Sequence, residues 1–159
     1  MTQPGRLTHT DDSGHAQMVD VSAKDVTARE ARASGRVLLS AEAIAALRAG
    51  QVPKGDALAV ARIAGIQAAK RTPDLVPLCH PIAIHAVTVD LQVTENAVEI
   101  ATTVRTADRT GVEMEALTSV TVAALALIDM VKAIDPAAVI TDVRVEEKTG
   151  GKTGTWRRP

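Results

Sequence analysis

The stretch "TAREARASGRVLLS", Thr27 to Ser40, reads two ways. Its first half, rich in Ala, Arg and Glu, has the composition of a helix. Its second half, "RVLLS", reads as a strand. The choice decides the fold, because the segments after it are plainer. "SAEAIAALRAG" is a helix with Ser40 as N-cap and Gly50 just past its end. A second helical stretch begins near Asp56 in "KGDALAVARIAGIQAAKRTP" and stops near Pro73. "HAVTVDLQV" and "AVEIATTVRT" alternate with period two and are joined by "TEN", which predicts a hairpin. "GVEMEALTSVTVAALALIDMVKAID" is a long helix ended by Pro136, and "AAVITDVRVEEKT" alternates again as a last strand. If Thr27–Ser40 ends as a strand, the order is β-α-β-β-α-β. That is a ferredoxin-like α+β fold, an antiparallel sheet backed by helices.

Residues 1–17 read as a flexible tail, 18–154 as one α+β domain, and 155–159 as a second short tail. "MVDVSAKD", at the start of the domain, holds a short β-like apolar pair.

Composition narrows the function. The 159 residues carry a net charge of −1, so there is no broad electrostatic case for nucleic acid or an anionic membrane. The chain has no Phe, no Tyr and one Trp, Trp156, which removes the stacking platforms of single-strand binders. The longest uninterrupted apolar run, Val122 to Ile128, is too short to span a bilayer. No apolar signal region stands at the N-terminus, and the single cysteine forms no intrachain disulfide. The simplest reading is cytoplasmic.

On the long helix, Leu117, Val120, Ala124, Ile128 and Val131 form one stripe, while Val122, Leu125 and Ala126 lie off it. A helix apolar on several sides needs several partners, so the sequence predicts an oligomer. Asp129 and Lys132 sit three apart, facing roughly the side of Leu125. That spacing suits a structural ion pair or a charged pair lining a site between subunits.

Twelve arginines against six lysines raise the question of where an ammonium is kept in preference to a guanidinium. Lys can lower its pKa and exchange a proton, and Arg effectively cannot. Lys54, Lys148 and Lys152 fall near turns or element ends, where ligands are met. "GGKT" is not a P-loop, since Glu146 stands where the first glycine is required. It is a Gly-rich loop with cations, either solvated or able to fold over an anion. Cys79–His80, within "LVPLCHPIAI", lacks the spaced partners of a metal site. Adjacent residues seldom supply a base to a thiolate, so Cys79 reads as packing. His80 is either buried and neutral or a ligand contact.

"MVDVSAK", "KGDALAVARIAGIQAAKRTPDLVPLCHPI", "TGVEMEALTSVTVAALALIDMVKAI" and "GGKTG", in that order, resemble the MoaC family, the cyclic pyranopterin monophosphate synthases of molybdenum-cofactor biosynthesis. The resemblance spans roughly residues 15 to 154. It implies a ferredoxin-like homohexamer, a trimer of dimers with sites at the dimer interface. It implies a lyase of the phosphorus–oxygen type. Such an enzyme converts 3′,8-cyclo-7,8-dihydroguanosine triphosphate, made by a radical S-adenosylmethionine enzyme, to cyclic pyranopterin monophosphate and pyrophosphate. It places the catalytic residues at Asp129, Lys132 and Lys54. Substrate contacts fall on Leu78, Cys79, His80, Met114 and Glu115, with Glu113, Lys148, Arg29 and Asp20 as further pocket positions. No redox cofactor or protein-bound metal is implied, though Mg²⁺ can accompany the triphosphate. A ligand-sensing module on the same fold is the competing class, since fold does not fix function. Convergence of Lys54, Asp129 and Lys132 separates the two, because a sensor needs no proton-transfer groups.

Overall fold

The ambiguous segment is strand from its first residue. In the computed structural model, which describes residues 9–11, 13–152 and 154–159, β1 runs Thr27–Leu38. Helices α1 (Ala41–Ala49), α2 (Ala57–Ala69) and the short α3 (Thr72–Leu75) follow, then β2 (Ile84–Val93), β3 (Ala97–Asp108), α4 (Glu113–Val131), β4 (Val139–Thr149) and β5 (Trp156–Arg157). The sheet order is β2-β3-β1-β4-β5 and every pairing is antiparallel. Its first four strands have the ferredoxin-like arrangement, and β5 extends the edge beyond β4 from within 155–159. Of the expected N-terminal tail, residues 1–8 and 12 lie outside the described residues, and Thr10 bridges Ala16. "MVDV" forms no strand.

β1 is strand because it is central. Its neighbours are β3 on one side and β4 on the other, so both edges of its backbone are paired. Pairing and burial override the helical composition of its first half. Ala31, Ala33, Gly35 and Val37 face the helices, and all four are buried. They are small for a reason visible at Gly35. A Cβ there would stand 2.6 Å from Val120 Cγ1 of α4, closer than real atoms approach. The opposite face carries charge, with Arg36 paired to Glu99 at 2.9 Å and Glu30 paired to Arg105.

The helix ends follow their caps. Ser40 accepts from the Ala43 N–H, and Gly50 closes α1 in the left-handed region at φ 65°. The Asp56 carboxylate accepts from the Ala59 N–H and starts α2. α4 packs on β1, β3 and β4 beside α2, which itself meets β2, and it buries Ala116, Val120, Ala123, Ala124, Leu127 and Val131. Gly65 of α2 allows the close approach, since a Cβ there would press on the Ser119 carbonyl at 3.0 Å. By length and hydropathy α4 could cross a membrane, but half of that window is buried inside this fold, which accounts for its apolar character. The off-stripe Leu125 remains 59% exposed.

Candidate functional site

α4 carries chemistry at both ends, and the expected site residues divide between them. At its C-terminal end Asp129 receives two ammonium groups. Lys132, one turn on, donates to Oδ1 at 2.7 Å, and Lys54, from the loop between α1 and α2, donates to Oδ2 at 2.8 Å. The loop is shaped by Gly55 at φ 105° and anchored by buried Val52. Hydrogen bonding to Lys132 first, and then to Lys54, holds the Asp129 carboxyl down at about 2. It is a permanent carboxylate at neutral pH. All three side chains are exposed in the single chain.

At the N-terminal end a cleft of about 400 Å³ is lined by Leu78, Cys79, His80, Glu113, Met114 and Glu115. The turn after α3 brings the first three there, with the Cys79 N–H bonded to the Val76 carbonyl at 3.0 Å. The first turn of α4 brings the acids. Glu115 is 3% exposed, and burial pushes its carboxyl up to about 7, reinforced by the charge of Glu113. It can therefore hold or release a proton near neutral pH. Burial, followed by the charge of Glu115, pushes the Cys79 thiol up, so a thiolate is disfavoured. That supports packing for Cys79. The His80 Nε2 lies 2.6 Å from the Val19 carbonyl.

A small adjoining cavity shares Glu113 and adds Arg29 and Lys148. Lys148 donates to Glu113 at 2.8 Å, and Arg29 Nε donates to the Asp108 carbonyl at 2.9 Å. The expected Gly-rich loop begins here. Gly150 and Gly151, at φ 91° and 72°, cross Arg29 so tightly that a Cβ on Gly151 would stand 2.5 Å from Arg29 Nη1. The loop seats an arginine. Asp20 lies in a groove on the other side of His80, its carboxylate accepting from the Ser22 N–H at 2.8 Å and thereby lowered in pKa.

Sequence reasoning passed over Lys24, Thr110 and Gly111, which also line the cleft. Lys24 closes the "MVDVSAK" block, and Thr110-Gly111 opens "TGVEME". Both were legible as loop residues beside acids, but only folding brings them together.

The two ends are roughly 21 Å apart at about 1.5 Å per residue of helix. A substrate reaching Glu115 and Asp129 of one chain would have to run the length of α4.

A sequence model of the MoaC family matches residues 18–151. A cyclic pyranopterin monophosphate synthase of Streptomyces avermitilis is 70% identical over 96% of this chain and 90% of its own length. One from a Nocardioides species is 66% identical over 98% of each. A Mycobacterium tuberculosis protein named cyclic pyranopterin monophosphate synthase 2 is 56% identical over 97% of this chain and 92% of its own.

Proposed function

The chain belongs to the MoaC family, and from that we propose that it is itself a cyclic pyranopterin monophosphate synthase of molybdenum-cofactor biosynthesis. On this reading it is a cytoplasmic lyase. It takes the cyclic dihydroguanosine triphosphate from an upstream radical S-adenosylmethionine enzyme and releases pyrophosphate.

The observation that carries the reading is the Lys54–Asp129–Lys132 set. Opening one ring, building another and closing a phosphodiester move protons on nitrogen and oxygen, and pyrophosphate leaves as an anion. Lysines serve both needs, neutralising phosphate and transferring protons. Asp129, ionised throughout, fixes two ammonium groups side by side. Glu115 accepts from guanine-like N–H donors or returns a proton, and Glu113, Lys148 and Arg29 flank it. Met114 and Leu78 supply the apolar wall, and Cys79 packs. Mg²⁺ can accompany the triphosphate.

The separation along α4 supports a site shared between two copies. A two-fold axis near the middle of α4 sets one copy's Glu115 end beside the other's Asp129 end. Leu125, together with exposed Val60 and Ile63 of α2, gives that layer apolar surface to cover. Trimerisation of such dimers gives the hexamer.

The test is direct. Incubation with 3′,8-cyclo-7,8-dihydroguanosine triphosphate should yield pyrophosphate and a pterin together. Tight binding without either product would favour the sensor class.

A further inference from the structure

Val19 to Lys24 forms a strap along the cleft and makes no regular secondary structure. Val19 and Val21 are half-buried, and the rest is exposed. Within the strap, the Lys24 N–H bonds the Val21 carbonyl at 3.0 Å and Asp20 caps Ser22. Two side chains from the body pin its ends. His80 reaches the Val19 carbonyl, and Arg109 Nε donates to the Lys24 carbonyl at 2.9 Å.

Lys24 is the residue this arrangement delivers. It lines the cleft with Glu113 and Glu115. Among the described residues its ammonium has no carboxylate partner, whereas Lys148 is paired with Glu113 and both Lys54 and Lys132 with Asp129. It is an unspent cation in a cleft read above as taking an anionic nucleotide. Arg109 does not line that cleft. Its own N–H bonds Asp108 Oδ1 at 2.7 Å at the end of β3, and its side chain turns back to the strap.

We infer that Arg109 is a positioning residue, which acts through the Lys24 carbonyl to hold the Lys24 ammonium against the anionic substrate. The inference rests on the synthase reading for the identity of that substrate. Arg109 supplies geometry and Lys24 supplies charge, so their effects on binding must overlap rather than add.

The experiment uses the full chain and GTP as a non-reacting probe of the substrate's charge, read by calorimetry. Arg109→Ala should weaken GTP about 10-fold, the scale of one hydrogen bond to a charged group. Lys24→Ala should weaken it at least as much, and the double variant no further. Arg109→Lys, which can still donate to a carbonyl, should recover most of the affinity. Amide exchange at Ser22 to Lys24 should quicken in Arg109→Ala and stay parental in Lys24→Ala. With the cyclic triphosphate, Arg109→Ala should raise KM far more than it lowers kcat. Additive losses, unchanged exchange of the strap in Arg109→Ala, or a parent chain that does not bind GTP would each overturn the inference. A parent that releases no pyrophosphate overturns the synthase reading instead, and the exchange and double-variant results then still decide on Arg109.

Discussion

Glu115 and Asp129 stand at opposite ends of one helix, roughly 21 Å apart at the α-helical rise, each with its own set of charged neighbours. If the site is shared between two copies, each copy contributes one end. Lys132→Ala and Glu115→Gln chains should each be inactive alone. Co-expressed with different tags and purified together, they should regain about one quarter of parental activity, since random pairing leaves half the dimers with one intact site of two. Mixed assemblies that stay inactive would show that each chain uses both of its own ends.

Glu115 gives a pH signature with a definite sign. Burial raises its carboxyl from 4.5 to about 7. Between those values the folded chain holds a proton that the unfolded chain has lost. Stability therefore falls as pH rises through that window and is level above it. The thermal midpoint of the parent should decline from pH 5 to 8, and that of Glu115→Gln should decline measurably less. Asp129 and Glu146, whose carboxyls are lowered, act below this window. Matching slopes in parent and variant would remove the raised Glu115 from the account.

Cys79→Ala should keep most of the activity. Its thiol is pushed up by burial and by the Glu115 charge, and among the described residues no base hydrogen-bonds it. Alkylation by iodoacetamide at neutral pH should be slow for the same reason. A folded Cys79→Ala protein as damaged as Lys54→Ala would reverse the packing assignment.

Gly151→Ala places a methyl group against the Arg29 guanidinium in a left-handed backbone that Ala adopts at a cost of about 1–2 kcal/mol. The thermal midpoint should move by a few degrees. KM should rise as it does in Arg29→Ala, and combining the two changes should add little. A normal KM in Gly151→Ala would mean that the seating of Arg29 is incidental.

The parts of the fold legible in the sequence were those with local signals. Ser40, Gly50 and Asp56 mark helix ends by side-chain or glycine chemistry acting within four residues. The β2–β3 alternation comes from facing one buried layer. Thr27–Leu38 was half legible, because "TAREARA" owes its strand state to β3 and β4, both far along the chain. β5 rests on two residues paired to β4 and had no periodicity to show. The site followed the same rule. Asp129 and Lys132 share a helix face and could be paired by counting; Lys54 stood out as a lysine near a turn, but its place beside them came from the family resemblance. The strap's Lys24 and its tether Arg109 are 85 residues apart and became visible only through their hydrogen bond.

Lys132 separates charge from proton transfer. Its ammonium sits 2.7 Å from Asp129 Oδ1, opposite Lys54, so a guanidinium at this position keeps the positive charge and a partner for the carboxylate. If Lys132 only clamps phosphate, Lys132→Arg should retain much of the rate. If it transfers a proton, Arg should fail, since its pKa above ~12 keeps it protonated. General acid–base catalysis is worth about 10²–10⁴ in rate, so the expected loss is at least about 100-fold in kcat, with binding weakened far less. Unchanged assembly on size exclusion and a parental thermal midpoint would show that the fold survives. Arg is also bulkier, so Lys132→Ala with added small amines is the companion measurement. Rescue that tracks the concentration of one protonation state of the amine supports proton transfer. Near-parental turnover in Lys132→Arg would end that role and leave Lys132 as a clamp on the phosphates.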